Sequence, residues 1–181
     1  MKRSLIIIIL PALLWTACSN NTDTAISSDK KAIKDSAALA HIAKEERNKR
    51  IVQQSLEAFN KHDVDGFLKD ASEDFIDYFD GLGPPVKTKD SAKKAYQYGF
   101  DMFGDVKGED LKYSAEGDWV AVWGKWSGKW IKDVNGQKAT GKRYLFNDVD
   151  LFKISEDGKI IEHRGTQAGI TVSLQVGYKL K

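Results

Sequence analysis

Apolar positions recur with two different periods along the chain, and the change of period divides it. Ile51, Val52, Leu56 and Phe59, with Ser55, fall at helical spacing and share one face, which ends before Asn60-Lys61-His62-Asp63. A short second helix is predicted over Val64–Ala71, with Asp63 as its N-cap. Phe75 to Phe79 reads as a short strand closed by Gly81-Leu82-Gly83-Pro84-Pro85, whose prolines lack a ladder donor. Thr88 or Asp90 can cap a third helix in which Ala92, Ala95, Tyr96, Gly99, Phe100 and Phe103 form the buried stripe.

Beyond it the period falls to two. Leu111, Tyr113 and Ala115 alternate in one strand, and Trp119 to Ile131 forms a longer one. In the longer strand Val120, Val122, Gly124, Trp126, Gly128 and Trp130 share one parity, and Trp119, Ala121 and Trp123 the other. Asn135-Gly136 and Glu156-Asp157-Gly158 supply turns. Between them lies a strand with Tyr144, Phe146, Phe152 and Ile154 on one side, and Ile160 to Gln167 begins the next strand. Helices followed by antiparallel strands predict an α+β fold in which a curved sheet wraps three N-terminal helices.

The first 45 residues carry a different pattern. Lys2 and Arg3 precede an apolar run from Leu5 to Trp15, a length suited to a signal h-region and too short to span a bilayer. The run closes on Trp15-Thr16-Ala17-Cys18, which resembles the bacterial lipobox, whose Cys is lipidated on its thiol and becomes the new N-terminus. Residues 1–17 are therefore expected to be a lipoprotein signal peptide and Cys18 the lipidation site. Residues 18–45 are expected to form a flexible tether, polar as far as Asp29, and an Ala/Lys/Glu-rich lead-in helix with the thin apolar face Ile33, Ala37, Ala40 and Ile42. The globular domain occupies 46–181. The expected location is the bacterial cell envelope, lipid-anchored at the outer membrane on its periplasmic or surface face, with the membrane as a partner through the lipid.

Composition sharpens this organisation. The chain has 181 residues and one Cys, so neither an internal disulfide nor a thiolate metal cage is available. Its 28 Lys and Arg exceed its 26 Asp and Glu by two, but Lys2 and Arg3 belong to the signal, which holds no acid. Removing them leaves 26 basic against 26 acidic residues, and with no basic stripe along the domain nothing points to nucleic acid. His41, His62 and His163 have no metal-ligand spacing, and the sequence calls for no metal or cofactor.

The ordered fragments Ile51-Val52 to Ala58-Phe59-Asn60-Lys61-His62-Asp63, Ser72-Glu73-Asp74-Phe75, Gly117-Asp118-Trp119-Val120-Ala121-Val122, Gly141-Lys142-Arg143 and Asp157-Gly158-Lys159-Ile160-Ile161-Glu162-His163 resemble the nuclear-transport-factor-2-like superfamily, most closely its SnoaL-like polyketide cyclase group. The resemblance runs from about Arg47 to Tyr178. It implies a cone-shaped sheet around three helices, a pocket at the open end, and pairing as a homodimer through the outer sheet face. In catalytic relatives a carboxylate removes a proton next to a carbonyl and hydrogen-bond donors hold the developing enolate. Such cyclases place carboxylates at the positions of Gly165 and Ala168 here, and often a His at the position of Trp126.

These departures point away from inherited cyclase chemistry, toward a cone that binds a small apolar or amphipathic ligand. Tyr78, Trp126, His163 and Arg164 are the candidate pocket residues, with Arg164 available to a ligand carboxylate. Asp74 and Asp77 are the candidate catalytic acids of the alternative reading, an isomerase, dehydratase or cyclase with a nonstandard base. A structural dimerisation module is the third. Asp148 and Asp150 share the parity of Phe146 and Phe152, yet inward carboxylates without partners are costly, and a bulge that turns them outward is at least as good an expectation.

Overall fold

The computed structural model describes residues 22–166 and 169–179, with side chains from residue 33 onward. The expected signal peptide and lipidation site Cys18, and Gln167 and Ala168, lie outside the described residues. The chain divides into two units, 1–38 and 39–181, and the described part of the first is helix.

Helix α1 spans Thr22–Phe59 and α2 Val64–Phe67; strand β1 spans Ala71–Asp77 and β2 Val86–Lys87; α3 is Lys89–Met102. Strands β3 (Phe103–Glu116), β4 (Trp119–Trp130), β5 (Arg143–Ile154) and β6 (Ile160–Gly165) follow, and α4 (Gly169–Val176) ends the order. The helix begins at Thr22, inside the stretch whose composition marks a tether. Once a helix is nucleated each further residue adds a hydrogen bond, so an Ala- and Lys-rich segment extends readily toward its N-terminus.

The six strands form one curved, unclosed mixed sheet in the order β2-β1-β6-β5-β4-β3. Neighbours are antiparallel except β1 and β6, which run parallel with Asp77 opposite His163. Strands β4 and β5 pair without interruption from Trp119–Lys153 to Lys129–Arg143. The parity read from the sequence holds in β4: Val120 and Val122 are fully buried on the inner face, whereas Trp123 is 42% exposed on the outer one. The Asn135-Gly136 turn has positive φ at both residues (50° and 73°), and the residues flanking it, Val134 and Gln137, form a bridge.

Inside the sheet, Val52 and Leu56 of α1 and Val64 and Phe67 of α2 pack against Phe75, Val120, Val122, Phe152 and Ile154. Each fully buried side chain of this size contributes about 1.5–3 kcal/mol of transfer free energy. Polar latches fix the helix on this core. Asn48 donates to the Gly117 carbonyl at 3.0 Å while Glu45 accepts from the Gly117 N–H at 2.9 Å, so α1 grips the β3–β4 turn from both sides. At the edge, Asn60 binds both backbone groups of Gly108 on β3, at 2.8 and 2.9 Å.

Three local details differ from the sequence reading. Helix α2 ends at Phe67, and β1 starts at Ala71 and stops at Asp77. Phe79 lies outside β1 with a left-handed φ of 46°, because Asp77 turns back to accept its N–H at 2.8 Å. Helix α4 had no sequence signal: Gly169-Ile-Thr-Val-Ser-Leu-Gln-Val is rich in β-branched residues that disfavour helix, and Asp80 accepts the Gly169 N–H at 2.7 Å where the helix begins.

Candidate functional site

A cavity of ≈ 200 Å³ lies between the helices and the inner sheet face. Phe59, at the end of α1, forms its aromatic hub, meeting Phe67, Tyr96 and Trp126 edge-on with centroids 5.3, 6.3 and 5.6 Å away. Against these apolar walls stand Asp148 and Asp150 of β5, His163 of β6 and Tyr96 of α3, with Asp77 of β1 directly behind His163.

The polar groups form a chain. His163 Nδ1 lies 2.9 Å from Asp77 Oδ1, and His163 Nε2 lies 3.2 Å from Asp150 Oδ1. The Tyr96 hydroxyl donates a short hydrogen bond to Asp77 Oδ2. Asp77 is fully buried and therefore fully occupied, by Tyr96, His163 and the Phe79 N–H. Asp150 differs: its Oδ1 meets His163, but its Oδ2 is buried without a partner. Asp148 is held separately, its Oδ1 accepting from the Val149 N–H at 2.7 Å and from Thr166 Oγ1 and N–H at 2.6 and 3.2 Å.

Charge follows from this arrangement. Burial alone would push the His163 imidazole down, but Asp77 and Asp150 on either side raise it to about 10, so both ring nitrogens carry protons at neutral pH. Burial pushes Asp77 up, and the His163 charge and hydrogen bond outweigh it, leaving its carboxyl below the usual range. Asp150 ends on the other side. Burial raises it, His163 offsets only part of that, and Asp148 and Asp77 add repulsion, so its carboxyl titrates above the ordinary range. Tyr96 is driven well above 10 by burial and by Asp77, and it stays a neutral donor.

The candidate residues read from the sequence separate cleanly. His163, Asp77 and Trp126 come together at the cavity. Tyr78 and Arg164 do not line it: the guanidinium stacks on the Tyr78 ring at 3.9 Å, and Arg164 Nε donates to Glu162 at 2.5 Å, with Tyr78 just past the end of β1 and Arg164 next to His163 on β6. Asp74 is exposed. Asp148 and Asp150 are only 9% and 8% exposed and face inward, with no bulge between β4 and β5, because His163 and Thr166 supply the partners that an inward acid requires. Tyr96, read as core from its helical stripe, serves both as core and as the donor to Asp77. Trp126 closes one wall, and its indole N–H is buried without a partner. Among the described residues no cluster of three or more His, Cys, Asp or Glu is arranged to hold a metal ion.

Residues 52–163, well over half the chain, match the profile of the SnoaL-like domain. The chain belongs to the SnoaL-like domain family. The curved sheet and the helices preceding it match solved SnoaL-like folds. A candidate polyketide cyclase from Xanthomonas campestris pv. campestris superposes with a TM-score of 0.67 at 22% identity, over 74% of this chain and 98% of that one. A candidate SnoaL-like polyketide cyclase from Jannaschia sp. CCS1 does so with a TM-score of 0.67 at 19% identity, over 76% and 96%. AclR, a candidate hydroxylase from Streptomyces galilaeus, gives a TM-score of 0.63 at 22% identity, over 76% and 89%. No curated protein matches the chain. In this SnoaL-like domain other acids stand beside the glycine at 165: a Cβ there would make ordinary contacts, 3.4 Å from Asp148 Oδ2 and from the Phe79 carbonyl oxygen and 3.5 Å from Asp150 Oδ1.

Proposed function

We propose that the domain binds a small apolar carbonyl compound and catalyses proton transfer at the carbon next to the carbonyl, as an isomerase, dehydratase or cyclase does. The observation that carries this reading is Asp150, a buried carboxylate fixed by His163 through one oxygen and unpartnered at the other, on the wall of a cavity otherwise lined mainly by apolar and aromatic side chains. A carboxyl that titrates above its ordinary range is a stronger base once ionised.

In this scheme the substrate C–H bond breaks, its electron pair becomes the enolate, and the proton goes to Asp150. Redelivery to another carbon gives isomerisation; delivery to a β-hydroxyl, which leaves as water while the enolate pair forms the new C=C bond, gives dehydration. Protonated His163 keeps Asp150 oriented, and Asp77 and Tyr96 keep His163 oriented. The unpartnered Trp126 N–H is the donor offered to the carbonyl oxygen, in place of the imidazole common in relatives. The binding-only reading ranked first on sequence because Gly165 and Ala168 carry no acid; Asp150 supplies one from β5.

We further propose that the protein is anchored in the bacterial envelope by lipid on Cys18, supported by the basic start, the apolar run and the small residues before the Cys. No helix among the described residues is long and apolar enough to cross a membrane. The catalytic proposal is tested by incubating the protein with methyl ketones in D2O and following α-deuteration by NMR. The expected result is exchange well above the buffer rate, and exchange at the buffer rate contradicts the reading.

A further inference from the structure

The cavity beside Asp150 has a neighbour that shares part of its lining. A second hollow of ≈ 180 Å³ shares Phe59, Phe79, Tyr96, Val106 and Tyr144 with it and continues along α3 to Ala95 and Gly99. Ala95 and Gly99 are four residues apart and so lie on one face of the helix. A Cβ built on Gly99 would meet nothing within 4 Å. Glycine weakens a helix interior, and Gly99 is not among the residues of positive φ, so the backbone does not require it. What Gly99 provides is open space in the hollow.

The geometry points to a bipartite ligand: a carbonyl-bearing head beside Asp150 and an apolar chain or ring body that runs past Tyr96 into the hollow under α3. Ala95 and Gly99 set the length of body that is accepted. Only the nature of the head rests on the proton-transfer reading; the apolar body rests on the lining that the two spaces share. The walls of the second hollow offer mainly rings and aliphatic groups, namely Phe100, Phe103, Ala95 and the shared aromatics, which suits hydrocarbon and offers no charged partner.

The test compares 2-decanone with 2-butanone by calorimetric titration of wild type, Gly99→Ala and Gly99→Leu, with helicity checked by circular dichroism. Wild type should bind 2-decanone at least tenfold more tightly than 2-butanone. Gly99→Leu should weaken 2-decanone at least fivefold and leave 2-butanone within twofold, with Gly99→Ala between the two. Leu is a better helix former than Gly, and should the variant nonetheless misfold, Ala95→Leu fills the same hollow one turn earlier. Unchanged 2-decanone binding in folded Gly99→Leu, or a wild type indifferent to chain length, overturns the bipartite site. Deuterium incorporation read in the same samples separates the two proposals. Length discrimination without exchange removes the catalytic reading and leaves the bipartite site; exchange without length discrimination does the reverse.

Discussion

Asp150 and Gly165 stand directly opposite each other across the β5–β6 ladder, and a Cβ on Gly165 would lie 3.5 Å from Asp150 Oδ1. Cross-strand partners project to the same face of a sheet. A carboxylate missing from one strand can therefore be supplied at nearly the same place by the other. If position rather than strand of origin matters, the acid can be moved back. Asp150→Asn/Gly165→Asp should regain at least tenfold of the α-deuteration rate lost in Asp150→Asn, as measured by NMR. Gly165→Asp alone crowds a third carboxylate against Asp148 and Asp150, so it should lower the urea midpoint at pH 7 and recover toward pH 5 as one acid is protonated.

The Asp77–His163 pair predicts how stability depends on pH. His163 titrates near 10 when folded against an ordinary 6.5, so the stability its charge provides is fully present below about pH 6.5. It is lost as pH rises from there through 10. Urea unfolding should therefore show a decline on the order of 3–5 kcal/mol across that interval, at about 1.4 kcal/mol per pH unit of displacement. Asp77→Asn removes one flanking charge and should flatten the decline while lowering stability at pH 7.

The anchor is tested without reference to the cavity. Cys18→Ala expressed in a bacterial host should move the protein from the membrane fraction to the soluble fraction, because the acyl chains supply about 0.8 kcal/mol per buried CH₂. Membrane retention equal to wild type, read by fractionation and immunoblot, contradicts lipidation at Cys18.

The fold was legible where a single strand or helix carries its own pattern. The alternation of Val120, Val122, Trp126 and Trp130 separated the two faces of β4, Asp63 caps α2 as read, and of the two candidates for α3 Thr88 is the cap. The site was only half legible. Asp77 and His163 could be named singly, but their contact depends on the parallel β1–β6 pairing of residues 86 apart in sequence, which no local pattern encodes. Asp150 has the right parity, yet an inward acid is credible only once a partner is known, and that partner sits on the next strand. Tyr78 was singled out by the acids around it and Arg164 by its place after His163, but Tyr78 lies just past the end of β1 and Arg164 is the neighbour of inward-facing His163, and they stack on each other away from the cavity lining.

The central claim, that Asp150 is the base, is tested most directly by the α-deuteration rate of 2-decanone in D2O with wild type and Asp150→Asn at equal concentration. Asn keeps the side-chain shape and can still accept from His163, but it cannot take up the proton. The account predicts a rate at least 100-fold lower in the variant, within the usual 10²–10⁴-fold range for a general base, with ketone affinity within about threefold of wild type. Equal rates in the two proteins would contradict it.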